Sequence, residues 1–172
     1  MRRSLLISTG VLAAALVAAG ILTAGTAAAA SHSGRLGHRH NRSEVLSAAL
    51  APSVPTDPAI FGAAPGGAPW SLTHGQADLG SSGRILVDVR GLVLTTTGAN
   101  PVADLAASVY CGGTLAATTA PVPFSTAGNA RIRTTVSLPA LCLAPAILLN
   151  PATGSSSSDV KTGTYIGFDG TA

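Results

Sequence analysis

The chain has 172 residues, a formal net charge of +3 at pH 7, and aromatic side chains at only 3% of positions. From Trp70 to the end, the charges of five cationic and five acidic side chains cancel. This part therefore lacks the excess positive charge with which proteins bind nucleic acid. Composition therefore predicts no nucleic-acid partner, and the scarcity of flat aromatic rings disfavours a carbohydrate-binding platform.

The first thirty residues carry the three parts of a secretory signal peptide. A cationic start at Met1–Arg3 precedes an apolar run over Leu5–Leu22, and a small-residue exit follows over Thr23–Ala30. We expect cleavage near Ala30, a secreted or cell-surface protein, and no membrane span after cleavage. The alternative is a retained anchor, because the run is about long enough to cross a bilayer, but its alanine content favours cleavage.

Residues 31–69 have the composition of a flexible spacer. Five prolines and repeated glycines interrupt any regular element. Ser43–Leu50 is long enough for two helical turns, but such a short helix is marginal alone in water, so we expect this segment to be disordered or loosely docked. The nearby histidines would allow weak metal binding, although flanking arginines favour a solvated spacer. These histidines are His32, His38 and His40.

Two segments after Trp70 alternate apolar and polar residues in the pattern of half-buried strands. They are Arg84–Arg90 and Arg131–Leu138, with arginines on the outward face of each. Further strands are predicted at Leu72–Leu79, Leu92–Thr96, Ala106–Cys111, Leu115–Thr119, Ala144–Asn150 and Tyr165–Phe168. Short strands separated by turn residues predict an all-β domain over residues 70–172, an antiparallel β-sandwich of the Ig-like or Greek-key type with about six to eight strands.

The chain has two cysteines, Cys111 and Cys142. An even number of cysteines in a small exported protein predicts a disulfide. This bond would close a loop of about 32 residues and stabilise the fold by about 3–4 kcal/mol. Two free buried thiols, or a metal site built on two cysteines alone, fit the count and the spacing less well.

The domain shows no sequence pattern of catalytic residues. A Ser/His/acid triad needs a histidine base, and the only histidine available is His74, in a strand-like run without a nucleophile elbow. Paired carboxylates of the glycosidase type would have to come from aspartates. Asp88 lies among outward-facing arginines, and the others lie in or near turns: Asp78, Asp104, Asp159 and Asp169. We therefore predict no catalytic, metal or cofactor-binding residue, and no cofactor.

The segment Pro121–Ser125 has two interpretations. Its two prolines suit the rigid, exposed loop of a secreted protease inhibitor. Alternatively, Phe124 fills the core between two strands, which is the more ordinary arrangement for a single aromatic residue between apolar runs.

Several segments resemble uncharacterised secreted β-domain proteins of GC-rich bacteria. They are Gly83–Val93, Asn100-Pro101, Ala107–Cys111, Gly128–Ile132 and Leu138–Pro145. The resemblance implies a secreted β domain with one cysteine pair, and it implies no activity. The strand followed by Gly91-Leu92 also resembles the repeat of chordin-like domains and the opening of copper–zinc superoxide dismutases. The histidine-rich metal motif of the dismutases is absent, so no functional residue is transferred.

These features predict an exported, non-enzymatic β-sandwich module with a binding or structural role at the cell envelope or in the medium. Its expected partner is an envelope or extracellular ligand that the sequence does not identify. The alternative is a secreted enzyme or protease inhibitor acting through loop residues. A pocket holding His74 with a serine and an aspartate would favour the enzyme, whereas a protruding Pro121–Ser125 loop would favour the inhibitor.

Overall fold

A computed structural model of the chain describes residues 44–170, and the regular secondary structure of these residues is almost entirely β-strand. In chain order the strands are β1 (Glu44–Pro52), β2 (Ala64–Pro65), β3 (Trp70–Ser71), β4 (His74–Gly80), β5 (Arg84–Arg90), β6 (Val93–Leu94), β7 (Asp104–Cys111), β8 (Thr114–Thr118), β9 (Val122–Pro123), β10 (Ala130–Thr135), β11 (Pro145–Ala152), β12 (Thr164–Tyr165) and β13 (Gly167–Asp169). One 3-10 turn, Ser157–Asp159, lies between β11 and β12.

Nine of the strands form one antiparallel sheet. Its hydrogen-bonded order is β10-β5-β4-β1-β13-β11-β7-β8, and β9 pairs with β7 beside this path. The sheet curls, so that β10 at one end approaches β7 and β9 near the other. Two further pairs are short: β2 runs parallel to β12, and β3 is antiparallel to β6.

The all-β class predicted from the sequence is confirmed. The finer expectation was a two-sheet sandwich of about six to eight strands, whereas the structure has one continuous curled sheet of nine strands. β1 is the strand that makes the sheet continuous. Its first part pairs with β4, with Ala48 opposite Ala77, and its last part pairs with β13, with Leu50 opposite Asp169.

The position of β1 corrects the predicted domain boundary. The flexible spacer predicted over residues 31–69 is wrong for residues 44–69. Glu44–Pro52 forms β1 rather than a disordered or loosely docked segment, Ala64–Pro65 forms β2, and Ser53 and Ala63 are buried. The Glu, Leu and Ala residues of β1 favour a helix locally, but pairing on both edges and burial of Leu50 override that weak preference. The β domain thus begins before Trp70, and residues 31–43 lie outside the described part of the chain.

The most regular predicted strand has the expected bounds. β5 spans Arg84–Arg90 and buries every second side chain, because strict alternation places its Ile and Val residues on one face. β10 ends at Thr135 rather than at the predicted Leu138, although Ile132 is buried as expected. Each shorter predicted strand overlaps an observed one, and β6 retains only Val93–Leu94 of the predicted Leu92–Thr96.

The core lies inside the curl of the sheet. Its main cluster is formed by inward side chains of the longer strands, among them Leu79, Val87, Val109, Ile132 and Ile147. A second cluster lies on the other face of β7 and β11 and contains Ala63, Tyr110, Leu148 and Tyr165. Because both faces of β7 are covered, its residues 105–110 are buried without interruption, and an alternating pattern is not required there.

Candidate functional site

Three exposed leucines lie beside the cysteine pair. Leu141 and Leu143 are 71% and 61% exposed, and Leu115 is 44% exposed. They line a surface groove of about 660 Å³, which we call the apolar groove. Its lining residues are Cys111, Gly112, Thr114, Leu115, Ala116, Ser137, Leu138, Pro139, Leu141 and Leu143.

One side of the apolar groove is the edge strand β8. Tyr110 of β7 lies opposite Leu115, but Val109 lies opposite Ala117, so Ala116 is an extra residue in β8. Such a β-bulge interrupts the alternation of side chains and redirects them locally. The bulge explains why the consecutive residues from Thr114 to Ala116 all line the groove.

The other side of the groove is the loop over residues 136–144, between β10 and β11. Cys142 of this loop is at disulfide distance from Cys111 at the end of β7, with 4.9 Å between the two Cα atoms. The Gly112 N–H also donates a hydrogen bond of 2.6 Å to the Leu143 carbonyl. The predicted cysteine pair is confirmed, and it fastens the loop to the turn between β7 and β8.

The groove offers a ligand mainly apolar contacts. None of its lining residues carries an ionisable side chain, because Cys111 is in the disulfide. Its only side-chain hydrogen-bonding groups are the hydroxyls of Thr114 and Ser137. A mostly apolar concavity with a few polar groups, several hundred Å³ in volume, is the usual form of a ligand-binding site.

The candidate base His74 is not brought together with a serine and an aspartate. It is exposed on β4, opposite Arg90 of β5. It lines neither the apolar groove nor the two surface depressions that contain Asp78 and Asp88.

The aspartates considered from the sequence are dispersed. Asp78 accepts a hydrogen bond of 2.6 Å from the Ser47 hydroxyl, and Asp159 accepts one of 3.0 Å from the Ser156 N–H in a turn. Asp104 lies at the start of β7 and Asp88 on the outward face of β5. Among residues 44–170, no group of three or more His, Cys, Asp or Glu residues is placed to hold a metal ion.

Asp169 is the aspartate with the most unusual surroundings. Its Oδ1 accepts a hydrogen bond of 2.9 Å from the Ile147 N–H. Burial raises the pKa of this carboxyl above its ordinary value, and the hydrogen bond from Ile147 opposes the shift without cancelling it. The contact joins β13 to β11, so this carboxyl has a structural role in the sheet.

The segment Pro121–Ser125 is held against the sheet. Val122–Pro123 form β9, which pairs with Leu105 and Asp104 of β7. Phe124 is buried in the main core. The second of the two interpretations, in which Phe124 fills the core, is therefore the correct one.

Other predictions fall on residues outside the described part of the chain. They are the signal peptide over residues 1–30 and the histidines His32, His38 and His40. Within residues 44–170, no helix has the length and apolar character needed to cross a membrane.

Comparisons of the chain with protein-family models, curated proteins and solved structures found no match. The resemblance to secreted β-domain proteins and to chordin-like domains therefore stays a prediction from the sequence.

The apolar groove was not predicted from the sequence. The relevant signal was the run Leu141-Cys142-Leu143, in which apolar residues flank a cysteine outside any alternating pattern. Residue identity alone did not show that these leucines face solvent, because their exposure depends on where the disulfide fastens the loop.

Proposed function

We propose that the protein is an exported, non-enzymatic binding module of the cell envelope or the medium, and that the apolar groove is its contact surface. The observation that carries this proposal is the exposure of Leu115, Leu141 and Leu143 around a single groove. Contiguous exposed apolar surface on a protein commonly marks an interaction site. Export is supported by the signal-peptide pattern of residues 1–30 and by the cysteine pair, which suits an oxidising compartment.

The partner that fits the groove is an uncharged, apolar segment of another protein. A charged group would lose its hydration in this groove without gaining an ionic partner. β8 is the last strand of the sheet, so its outer backbone N–H and C=O groups lie where an extended segment would pair with them. Apolar side chains of that segment would then cover the three leucines and release water from them.

Binding to envelope material from the host of the protein tests the proposal. The oxidised full chain is expected to bind saturably, and the double variant Leu141→Ser with Leu143→Ser is expected to bind about tenfold more weakly or worse, because two apolar contacts are lost. Val45→Ser is the matched control, since Val45 is also exposed, at 39%, but lies on β1.

Equal binding by the wild type, the double variant and the control would contradict the groove as the contact surface. Absence of saturable binding by the wild-type protein, to both envelope and secreted proteins of the host, would overturn the binding function itself.

A further inference from the structure

The cationic side chains of the described residues are concentrated on one face of two paired strands. Residues 44–170 contain five cationic and seven acidic side chains, a net charge of −2 with histidine neutral. Four of the five cations are nevertheless on β5 and β10: Arg84, Arg90, Arg131 and Arg133. All four are exposed on the outward face of the sheet, so the clustering does not follow from a generally basic surface.

Two of these arginines are held side by side by one carboxylate. Arg131 lies directly opposite Asp88 in the pairing of β10 with β5. Arg90 Nε donates a hydrogen bond of 3.1 Å to Asp88 Oδ1, and Arg131 Nε lies 3.7 Å from Oδ2. The two arginine side chains remain 68% and 58% exposed. Asp88 thus lies between two guanidinium groups, with one hydrogen bond and one longer ionic contact, and the three side chains together keep a net positive charge.

A surface depression of about 510 Å³ lies at this cluster. It is lined by Arg90, Arg131, Asp88 and Asn129, together with parts of β9 and β10. Asn129 Oδ1 accepts a hydrogen bond of 3.1 Å from the Gly91 N–H, which leaves the Nδ2 donors of this amide for a ligand. A guanidinium group has five N–H donors, and the hydrogen bond of Arg90 uses only the one on Nε.

We propose that this depression, the arginine pocket, binds the phosphate group of an anionic ligand. Its available side-chain groups are nearly all N–H donors, and paired guanidinium groups match the geometry of a phosphate better than that of an uncharged molecule. The one carboxylate in the pocket, that of Asp88, is already engaged by both arginines. The inference is independent of the apolar groove, because the pocket and the groove share no lining residue.

The test measures dissociation constants of the oxidised full chain for linear polyphosphate and for inorganic phosphate at low ionic strength. Arg90→Gln and Arg131→Gln are each expected to weaken binding about tenfold, as for the loss of one charge-assisted contact. Arg84→Gln is the matched control, because it removes the same charge from the same face of β5 but lies six residues from Arg90, about 20 Å along the strand. It is expected to weaken binding about threefold at most, as for a screened surface charge.

The two probes distinguish the sources of the phosphate group. Binding of polyphosphate alone assigns the pocket to a polymer, and comparable binding of inorganic phosphate assigns it to a small ligand. Equal losses in all three variants would overturn the pocket in favour of diffuse charge attraction. Failure of the wild type to bind either probe, or equal affinity for polyglutamate, would overturn the phosphate proposal. Unchanged thermal unfolding of the variants is expected and excludes misfolding as the cause of a loss.

Discussion

Cys111 and Cys142 join the end of β7 to the loop before β11, with 4.9 Å between their Cα atoms. Both sides of the apolar groove meet at this bond, because β8 begins just after Cys111 and Leu141 and Leu143 flank Cys142. The disulfide therefore contributes to the proposed binding surface as well as to the stability of the fold.

Removal of the disulfide is expected to lower the binding affinity of the groove while the sheet stays folded. The double variant Cys111→Ser with Cys142→Ser should lose about 3–4 kcal/mol of unfolding free energy, the value for a loop of this length in the chain-entropy model. Without this covalent link, the loop keeps the Gly112–Leu143 hydrogen bond to the β7–β8 turn. Urea unfolding and the affinity for an apolar fluorophore measure the two effects. An unchanged affinity in the folded variant would show that the groove does not need the disulfide.

Because β1 lies inside the sheet, truncation of its residue Leu50 should strongly lower the stability of the fold. Leu50→Ala is expected to lower the free energy of unfolding by about 2–5 kcal/mol, because Leu50 is a core residue and truncation of core leucines leaves a cavity. Leu143→Ala makes the same change at an exposed position and should alter stability by no more than about 0.5 kcal/mol. Denaturant unfolding compares the two, and equal small effects would mean that β1 is only loosely attached.

The turn at Gly128 gives a test of backbone packing. Its φ is 74°, and its carbonyl accepts a hydrogen bond of 3.0 Å from the Leu92 N–H. A Cβ atom at Gly128 would overlap the backbone of Leu92, whereas one at Gly98, with φ of 66°, meets no atom within 4 Å. Gly98→Ala should lower the free energy of unfolding by about 1–2 kcal/mol, because alanine is strained in the left-handed conformation.

Gly128→Ala is expected to cost clearly more than Gly98→Ala, because the overlap with Leu92 is added to the same conformational strain. The difference between their free energies of unfolding isolates the close approach of the two backbone segments. Equal losses in the two variants would contradict that close approach.

The burial of Asp169 should make the stability of the protein depend on pH in a specific direction. Burial raises its pKa in the folded state, so the folded protein holds this proton more tightly than the unfolded chain does. The contribution of Asp169 to stability should therefore fall as the pH rises from its unfolded pKa, about 3.9, through its folded pKa. Asp169→Asn keeps the oxygen that accepts the Ile147 N–H but removes the titration.

The measurement is the free energy of unfolding of the wild type and of Asp169→Asn between about pH 3 and pH 7. The variant should gain stability relative to the wild type as the pH rises through this interval. Parallel curves would mean that Asp169 is not protonated more readily in the folded state.

The strands predicted best from the sequence are those in which apolar and polar residues alternate and the apolar residues are the buried ones. β5 was predicted with its observed bounds because Ile85, Val87 and Val89 alternate with polar residues. β1 was missed because its composition favours a helix, and its strand conformation depends on β4 and β13, which are distant in sequence. The residues of a segment do not reveal which distant strands will pair with it.

The two candidate sites depend on contacts that single segments do not encode. The outward position of Arg131 follows from alternation, but its approach to Asp88 requires the pairing of β10 with β5. The groove likewise requires the bulge at Ala116 and the attachment of the loop at Cys142. Cys142, Asp88 and Arg131 stand out in the sequence, but their places within binding surfaces depend on these long-range contacts.

The most direct test of the binding-module account is the affinity of the oxidised full chain for an uncharged apolar fluorophore such as Nile red, measured by fluorescence titration. The account predicts one saturable site, weakened about tenfold or more in the double variant Leu141→Ser with Leu143→Ser and unchanged in Val45→Ser. Equal affinity in all three proteins, or no saturable binding by the wild type, would contradict the apolar groove as the binding surface.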